Sequence, residues 1–135
     1  MLPYPLAVRG AVFVSARRGL AITESTILAT ADSGKTWKRL MAGVDMVFVS
    51  LGAHDRRHLW ISGGVVTECS PACRGFLLRT DDGGRSWVLI RLPHAVGYSG
   101  FSWVTPQRGF VNDGGYIYRT EDSGRIWFPA SLVGG

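Results

Sequence analysis

The chain of 135 residues has no long apolar run and few segments with helical periodicity. No apolar stretch reaches the ~18 residues of a membrane-spanning helix, and residues 1–5 lack the charged start and apolar core of a signal peptide. Ser-His-Asp, HExxH, phosphate-cradling glycine loops and dinucleotide fingerprints are missing. The sequence therefore predicts no membrane span and no cofactor, and it lacks the common catalytic motifs.

Cysteine is also scarce, because Cys69 and Cys73 are the only two in the chain. Two thiols without a nearby histidine cannot complete a four-ligand zinc site, so no metal site is predicted. A disulfide that closes a small loop is one interpretation, and a pair of free thiols is the alternative. The disulfide would favour an extracytoplasmic location, because disulfides persist in oxidising compartments.

What the sequence does contain indicates a folded chain rich in turns. Hydrophobic residues make up 46% and aromatic residues 11%, which excludes a disordered chain. Eighteen glycines and short β-prone runs favour an all-β protein. The net charge of +5 permits an anionic partner without demanding one.

One phrase of eight residues occurs three times, at residues 30–37, 80–87 and 120–127, with the skeleton T-x-D-(S/G)-G-(K/R)-x-W. A polar gap with glycine between two β-prone runs predicts a hairpin turn. We expect the aspartate to accept hydrogen bonds from N–H groups two or three residues further on, and the tryptophan to be buried. A catalytic or metal-binding role for the aspartates is the alternative. The residues given the structural role are Asp32, Gly34, Trp37, Asp82, Gly84, Trp87, Asp122, Gly124 and Trp127.

This phrase resembles the Asp-box, or BNR repeat, of sialidases, xyloglucanases, sortilin-type receptors and a photosystem assembly factor family. The resemblance implies a β-propeller, in which the box is the turn between the third and fourth strands of a blade and lies away from the active face. The assembly-factor family acts by binding protein. Sialidases need an arginine triad and an early Arg-Ile-Pro motif, for which the nearest stretch here is Val-Arg-Gly-Ala at residues 8–11.

Two further phrases precede each box, so each repeat reads as four short strands. The predicted fold class is all-β, a propeller of three four-stranded antiparallel blades in a single domain, at about residues 10–43, 44–95 and 99–130. Matching Phe48-Val49-Ser50 to Phe13-Val14-Ser15 predicts four extra residues in the first turn of the middle blade. Eleven more fall in its second turn, in a loop at residues 63–74 that carries the cysteines.

Three blades are too few for a closed ring of about four to eight. An open arc would expose apolar blade faces, which favours association. We hypothesise a homodimer that completes six blades. A piece of a longer propeller without activity of its own is the alternative.

Strand alternation divides the loops between two ends of the propeller. The end with the boxes is predicted to be basic, and it could meet an acidic protein surface or phosphate. Alternatively, its arginines pair with neighbouring acids. Nucleic acid is disfavoured because no aromatic-interleaved basic stripe is present. The candidate basic residues are Arg17, Arg18, Arg56, Arg57 and Arg108.

The opposite end is predicted to hold a ligand, because carboxylates and aromatic residues there suit carbohydrate. The candidate residues are Glu24, Asp45, Glu68, His94, Tyr98, Asp113 and Tyr116. The favoured function is a non-enzymatic binding or scaffold module for a protein or carbohydrate ligand. The alternative is a glycoside hydrolase, active only as a completed ring, that uses paired carboxylates from this set.

Overall fold

The structure, a computed structural model, describes residues 8–42, 45–69, 73–92, 101–112 and 117–129, without the side chains of residues 42, 67–69, 73 and 112. The described residues form twelve strands, and none of them forms a helix that could cross a membrane. The strands are β1 (Gly10–Phe13), β2 (Gly19–Ile22), β3 (Thr26–Thr30), β4 (Lys38–Ala42), β5 (Met46–Ala53), β6 (Leu59–Cys69), β7 (Cys73–Thr80), β8 (Val88–Arg91), β9 (Phe101–Trp103), β10 (Gly109–Asn112), β11 (Ile117–Thr120) and β12 (Phe128–Pro129).

The strands form three antiparallel sheets of four, each in chain order. We call β1–β4 blade 1, β5–β8 blade 2 and β9–β12 blade 3. The arrangement confirms the predicted all-β fold class of three four-stranded antiparallel sheets. It follows from runs of β-prone residues separated by short polar turns, which favour antiparallel hairpins between neighbouring strands.

The core lies between the blades, because both faces of the middle blade are buried. Phe76 and Leu78 on β7 pack against Ile22 and Ile27 of blade 1. Leu77, between them in sequence, packs in the cluster formed with blade 3. Successive side chains of a strand point to opposite faces, so one apolar run of β7 supplies both junctions.

The predicted insertion of four residues in the first turn of blade 2 is wrong. Phe13 pairs with Gly19, Ala53 with Leu59, and Trp103 with Gly109, so all three first turns contain five residues. Ala53, and not Phe48, therefore corresponds to Phe13, and the predicted four extra residues are not in this turn. They lengthen β5, which has eight residues and a register shift between Phe48 and Ser50.

The second predicted insertion is mainly strand rather than loop. β6 and β7 continue their pairing from Gly63 opposite Phe76 to Cys69 opposite Cys73. The extra residues thus extend the sheet of blade 2 at the end remote from its box. The backbones of the two cysteines face each other, but their side chains lie outside the described part, so the disulfide stays a prediction.

Candidate functional site

The box turns are closed by hydrogen bonds within each box. In blade 2, Thr80 Oγ1 donates to Asp82 Oδ1 at 2.7 Å, and the N–H of Gly84 donates to Thr80 Oγ1 at 3.0 Å. The N–H of Ser86 donates to Asp82 Oδ1 at 2.9 Å. The aspartate thus accepts the N–H four residues further on, and a smaller contribution from the N–H of Arg85, three residues on as expected, also lowers its pKa. Blades 1 and 3 repeat these contacts.

These contacts keep the box carboxylates ionised. The Ser86 hydroxyl and N–H hold the pKa of Asp82 far below its usual value, as Thr36 does for Asp32. In blade 3 the residue at that position is Ile126, which has no hydroxyl, and its N–H is the main cause of the lowered pKa of Asp122. The turn therefore engages both carboxylate oxygens of Asp32 and Asp82, and Oδ1 of Asp122.

The box glycines have the expected conformation, but only one of the three box tryptophans is buried as expected. Gly34, Gly84 and Gly124 have φ of 90°, 98° and 95°, a region that L-residues with a side chain rarely adopt. Trp127 is buried, with 9% of its surface exposed. Trp37 and Trp87 are only half-buried.

Each box lies beside the first turn of its own blade. The N–H of Ser33 donates to the Arg17 carbonyl at 3.0 Å, and the N–H of Gly83 donates to the Arg57 carbonyl at 3.0 Å. Ser123 makes the equivalent bond in blade 3. The basic residues of the first turns are therefore held next to the basic residues of the boxes.

A groove runs between blades 1 and 2 at this end, with a volume of about 1110 Å³. We call it the arginine groove. Leu20, Leu40 and Leu59 give it an apolar lining, and Asp82 is its one acidic residue within the described part of the chain. Its basic residues are Arg18, Lys38, Arg56, Arg57 and Arg85.

The basic side chains of the groove have no ion-pair partner among the described residues. None of the five makes a side-chain hydrogen bond or ion pair with a residue that the structure describes. Blade 3 behaves differently, because Arg108 lies 3.0 Å and Arg119 3.5 Å from Glu121. Among the described residues, Arg108 thus has an ion-pair partner, whereas the side chains of Arg17, Arg18, Arg56 and Arg57 have none.

The turn that carries Arg56 and Arg57 is fixed by Asp55. Its Oδ1 accepts the N–H of Arg57 at 2.8 Å and lies 2.8 Å from Nδ1 of His58. Burial raises the pKa of Asp55, but the hydrogen bonds from His58 and the two backbone N–H groups outweigh it and lower the pKa to about 2. These hydrogen bonds hold together the backbone turn from which the two arginines extend.

Arg79 differs from the other arginines of this end, because its side chain is only 6% exposed. Its guanidinium stacks 4.3 Å from the ring centroid of Trp103 and donates to the Pro106 carbonyl at 2.7 Å, so it links blade 2 to blade 3. Burial lowers its pKa, and Asp81 at 3.7 Å acts in the opposite direction. The signal that could have identified it is alternation, because Arg79 lies two residues from Leu77 and so on the same face.

At the opposite end the structure describes only part of the predicted ligand site. Glu24 is exposed and lies 3.7 Å from Arg9. Asp45 has a φ of 58°, and its carbonyl accepts the N–H of Val66 at 2.8 Å. The predicted carbohydrate or hydrolase site therefore stays a prediction. The side chain of Glu68, together with His94, Tyr98, Asp113 and Tyr116, lies outside the described residues.

Three four-stranded antiparallel sheets, joined in chain order and packed face to face, define a protein built from β-propeller blades. The chain is similar to a solved structure of YCF48 bound to D1 peptide, with 27% identity and a TM-score of 0.72 over 95% of this chain. It is similar to YCF48 from Cyanidioschyzon merolae, with 24% identity and a TM-score of 0.72 over 96%. The chain covers 40% and 38% of the length of these two proteins.

An ancestral GH74 enzyme also matches, at 10% identity and a TM-score of 0.70, over 93% of this chain and 18% of that one. At such low identity the likeness shows the fold alone. No protein-family model matches the sequence, and no curated protein matches it either.

Proposed function

We propose that the protein is a non-enzymatic binding module whose arginine groove holds an acidic, extended segment of another protein. The observation that carries this proposal is the set of five basic side chains in one groove, none of them paired with a described residue. Unpaired charges of one sign raise the local potential and attract a ligand of the opposite sign.

The shape and lining of the groove favour a peptide over a small anion. The volume of about 1110 Å³ exceeds the needs of phosphate. Leu40 is 44% exposed and lines the groove together with the arginines, so a ligand with both acidic and apolar side chains would satisfy both. The likeness to YCF48, solved with a peptide, supports the same choice of ligand class.

The test is fluorescence anisotropy with a labelled peptide of alternating glutamate and leucine, against the same peptide with glutamine in place of glutamate. We expect the acidic peptide alone to bind, and its affinity to fall as salt rises. Arg56→Glu should weaken binding about fivefold, or about 1 kcal/mol, because an exposed attraction becomes a repulsion.

Arg108→Glu is the matched control. It reverses the same charge at the same end, but Arg108 does not line the groove, and Arg119 remains 3.5 Å from Glu121. Its affinity should change by less than about twofold. Equal binding of the acidic and glutamine peptides, or equal loss in both variants, would contradict the proposal.

A further inference from the structure

The junction between blades 2 and 3 shows how two blades fit together. Leu77 is fully buried, and its Cδ2 lies 2.8 Å from the position that a Cβ on Gly124 would take. Arg79 stacks on Trp103, which also packs edge-to-face on Trp127. We call the side of a blade that carries its box tryptophan the leading face, and the side with the Leu77 and Arg79 positions the trailing face.

The leading face of blade 1 has the same aromatic arrangement as that of blade 3. The rings of Phe13 and Trp37 lie 6.2 Å apart at 74°, and those of Trp103 and Trp127 lie 6.1 Å apart at 62°. Phe13 is nevertheless 47% exposed. The side chains nearest to Gly34 both belong to blade 1, whereas the box glycines of blades 2 and 3 contact the preceding blade.

The trailing face of blade 3 repeats that of blade 2. Ile117 and Arg119 stand three residues and one residue before the box threonine, as Leu77 and Arg79 do in blade 2. Ile117 is 40% exposed where Leu77 is fully buried. The side chain of Arg119 is 47% exposed, against 6% for Arg79.

The ion pair beside the arginine is also repeated. Arg119 lies 3.5 Å from Glu121, as Arg79 lies 3.7 Å from Asp81. Phe128, opposite Arg119 on the neighbouring strand, is 48% exposed and widens the apolar surface. The two outer faces are therefore the two halves of an interface that the chain already forms internally.

We propose that these faces bind each other between two copies of the chain, head to tail, and that the contact is the one between blades 2 and 3. Arg119 of one copy stacks on Phe13 of the other, and Ile117 packs on Gly34. A second copy is the occupant that the observations favour, because it brings the complement of both faces at once. Contact at both faces gives a closed pair.

Two variants test the arrangement, with mass measured by light scattering over a wide concentration range. Phe13→Asp blocks the leading face and Ile117→Asp the trailing face. We expect the wild type to approach twice the chain mass of 14.7 kDa, and each variant alone to stay at 14.7 kDa. An equal mixture of the two variants should associate again through its one intact junction, at higher concentration than the wild type.

Leu89→Asp is the control, because Leu89 is 50% exposed on the outer strand of blade 2, away from both outer faces. It should pair like the wild type. Arg119→Glu is a milder substitution for use if an aspartate variant fails to fold, and it should weaken pairing about tenfold.

A wild type that stays at 14.7 kDa at every concentration would overturn the proposal. The outer faces would then bind further blades or another protein, and not a second copy. Pairing of either aspartate variant alone would show contact between like faces and would overturn it too. A mixture of the two variants that does not associate would also overturn the proposal. Peptide binding is measured separately, with the Arg56→Glu variant of the arginine groove.

Discussion

Replacing the box glycines by alanine separates the strain of the turn from the packing between blades. Gly34, Gly84 and Gly124 have φ of 90°, 98° and 95°. A methyl group at any of them costs a similar backbone strain, about 1–2 kcal/mol. The three variants therefore share one term and differ only in what the added methyl contacts.

The contacts differ sharply. At Gly124 the new Cβ would lie 2.8 Å from Leu77 Cδ2, while at Gly84 it would lie 3.8 Å from Leu20 Cδ1. At Gly34 the nearest atom is 3.6 Å away. Because Leu77 is fully buried, it cannot turn aside cheaply, and overpacking adds about 1–3 kcal/mol. We expect losses of about 1–2 kcal/mol for Gly34→Ala and Gly84→Ala, and about 2–5 kcal/mol for Gly124→Ala.

Thermal unfolding followed by tryptophan fluorescence measures these losses. For a chain of 135 residues, 1 kcal/mol corresponds to about 3.5 °C in the melting temperature. Leu77→Ala supplies a double-mutant cycle, since it removes the methyl that the new side chain of Gly124→Ala would strike, and the excess cost of Gly124→Ala should then vanish. Equal losses in the three single variants would refute the packing of this junction, as would an excess that survives in the Leu77→Ala background.

Two further predictions concern the junction arginine and the box carboxylates. Arg79→Met should cost about 2–4 kcal/mol in urea unfolding, because it removes a desolvated cation–π contact and a charged hydrogen bond to Pro106. Arg79→Lys should keep the charge yet lose most of the same stability, and full retention by lysine would contradict the stacking geometry. The folded pKa values of Asp32, Asp82 and Asp122 lie below the ordinary 3.8, so their stabilisation is present above that value and disappears as pH falls through the folded pKa. Melting temperatures should hold down to about pH 5 and fall below about pH 4, with a weaker dependence in Asp82→Asn; a rise on acidification below pH 4 would contradict this sign.

The architecture was predictable because the box phrase acts locally. Thr80, Asp82 and Gly84 form hydrogen bonds with one another within five residues, so the turn needs no distant partner to form. Three such turns, each between β-prone runs, determine three antiparallel sheets. Nothing about the rest of the chain has to be known for this inference.

The internal register of blade 2 was not predictable from matching phrases. Phe48-Val49-Ser50 repeats the letters of Phe13-Val14-Ser15, but the structural counterpart of Phe13 is Ala53. An aromatic ring lies over glycine in the pairs Phe13–Gly19 and Trp103–Gly109. In blade 2 the small residue is on the first strand and the large residue on the second, with Ala53 opposite Leu59. Cross-strand volume, which the local pattern does not show, decides the register.

The arginine groove lay beyond sequence reasoning for a related reason. Arg18 and Lys38 come from blade 1 and Arg56 and Arg85 from blade 2, so only the packing of two sheets brings them together. Net charge at the box end was foreseeable, because strand alternation assigns the loops to their ends. Which cations remain unpaired depends on side-chain geometry within each turn.

The unpaired charge of the groove follows from how the boxes use their acids. Asp82 lines the groove, but its oxygens accept hydrogen bonds from Thr80 and Ser86 and so point into the turn. Asp81 is held near Arg79, and the corresponding position in blade 1 is Ala31, which has no carboxylate. The bonds that close the hairpin thus hold the oxygens of Asp82 within the turn, and none of the five basic side chains of the groove forms an ion pair with it. Under the proposed function, the carboxylates that pair with these arginines belong to the bound segment.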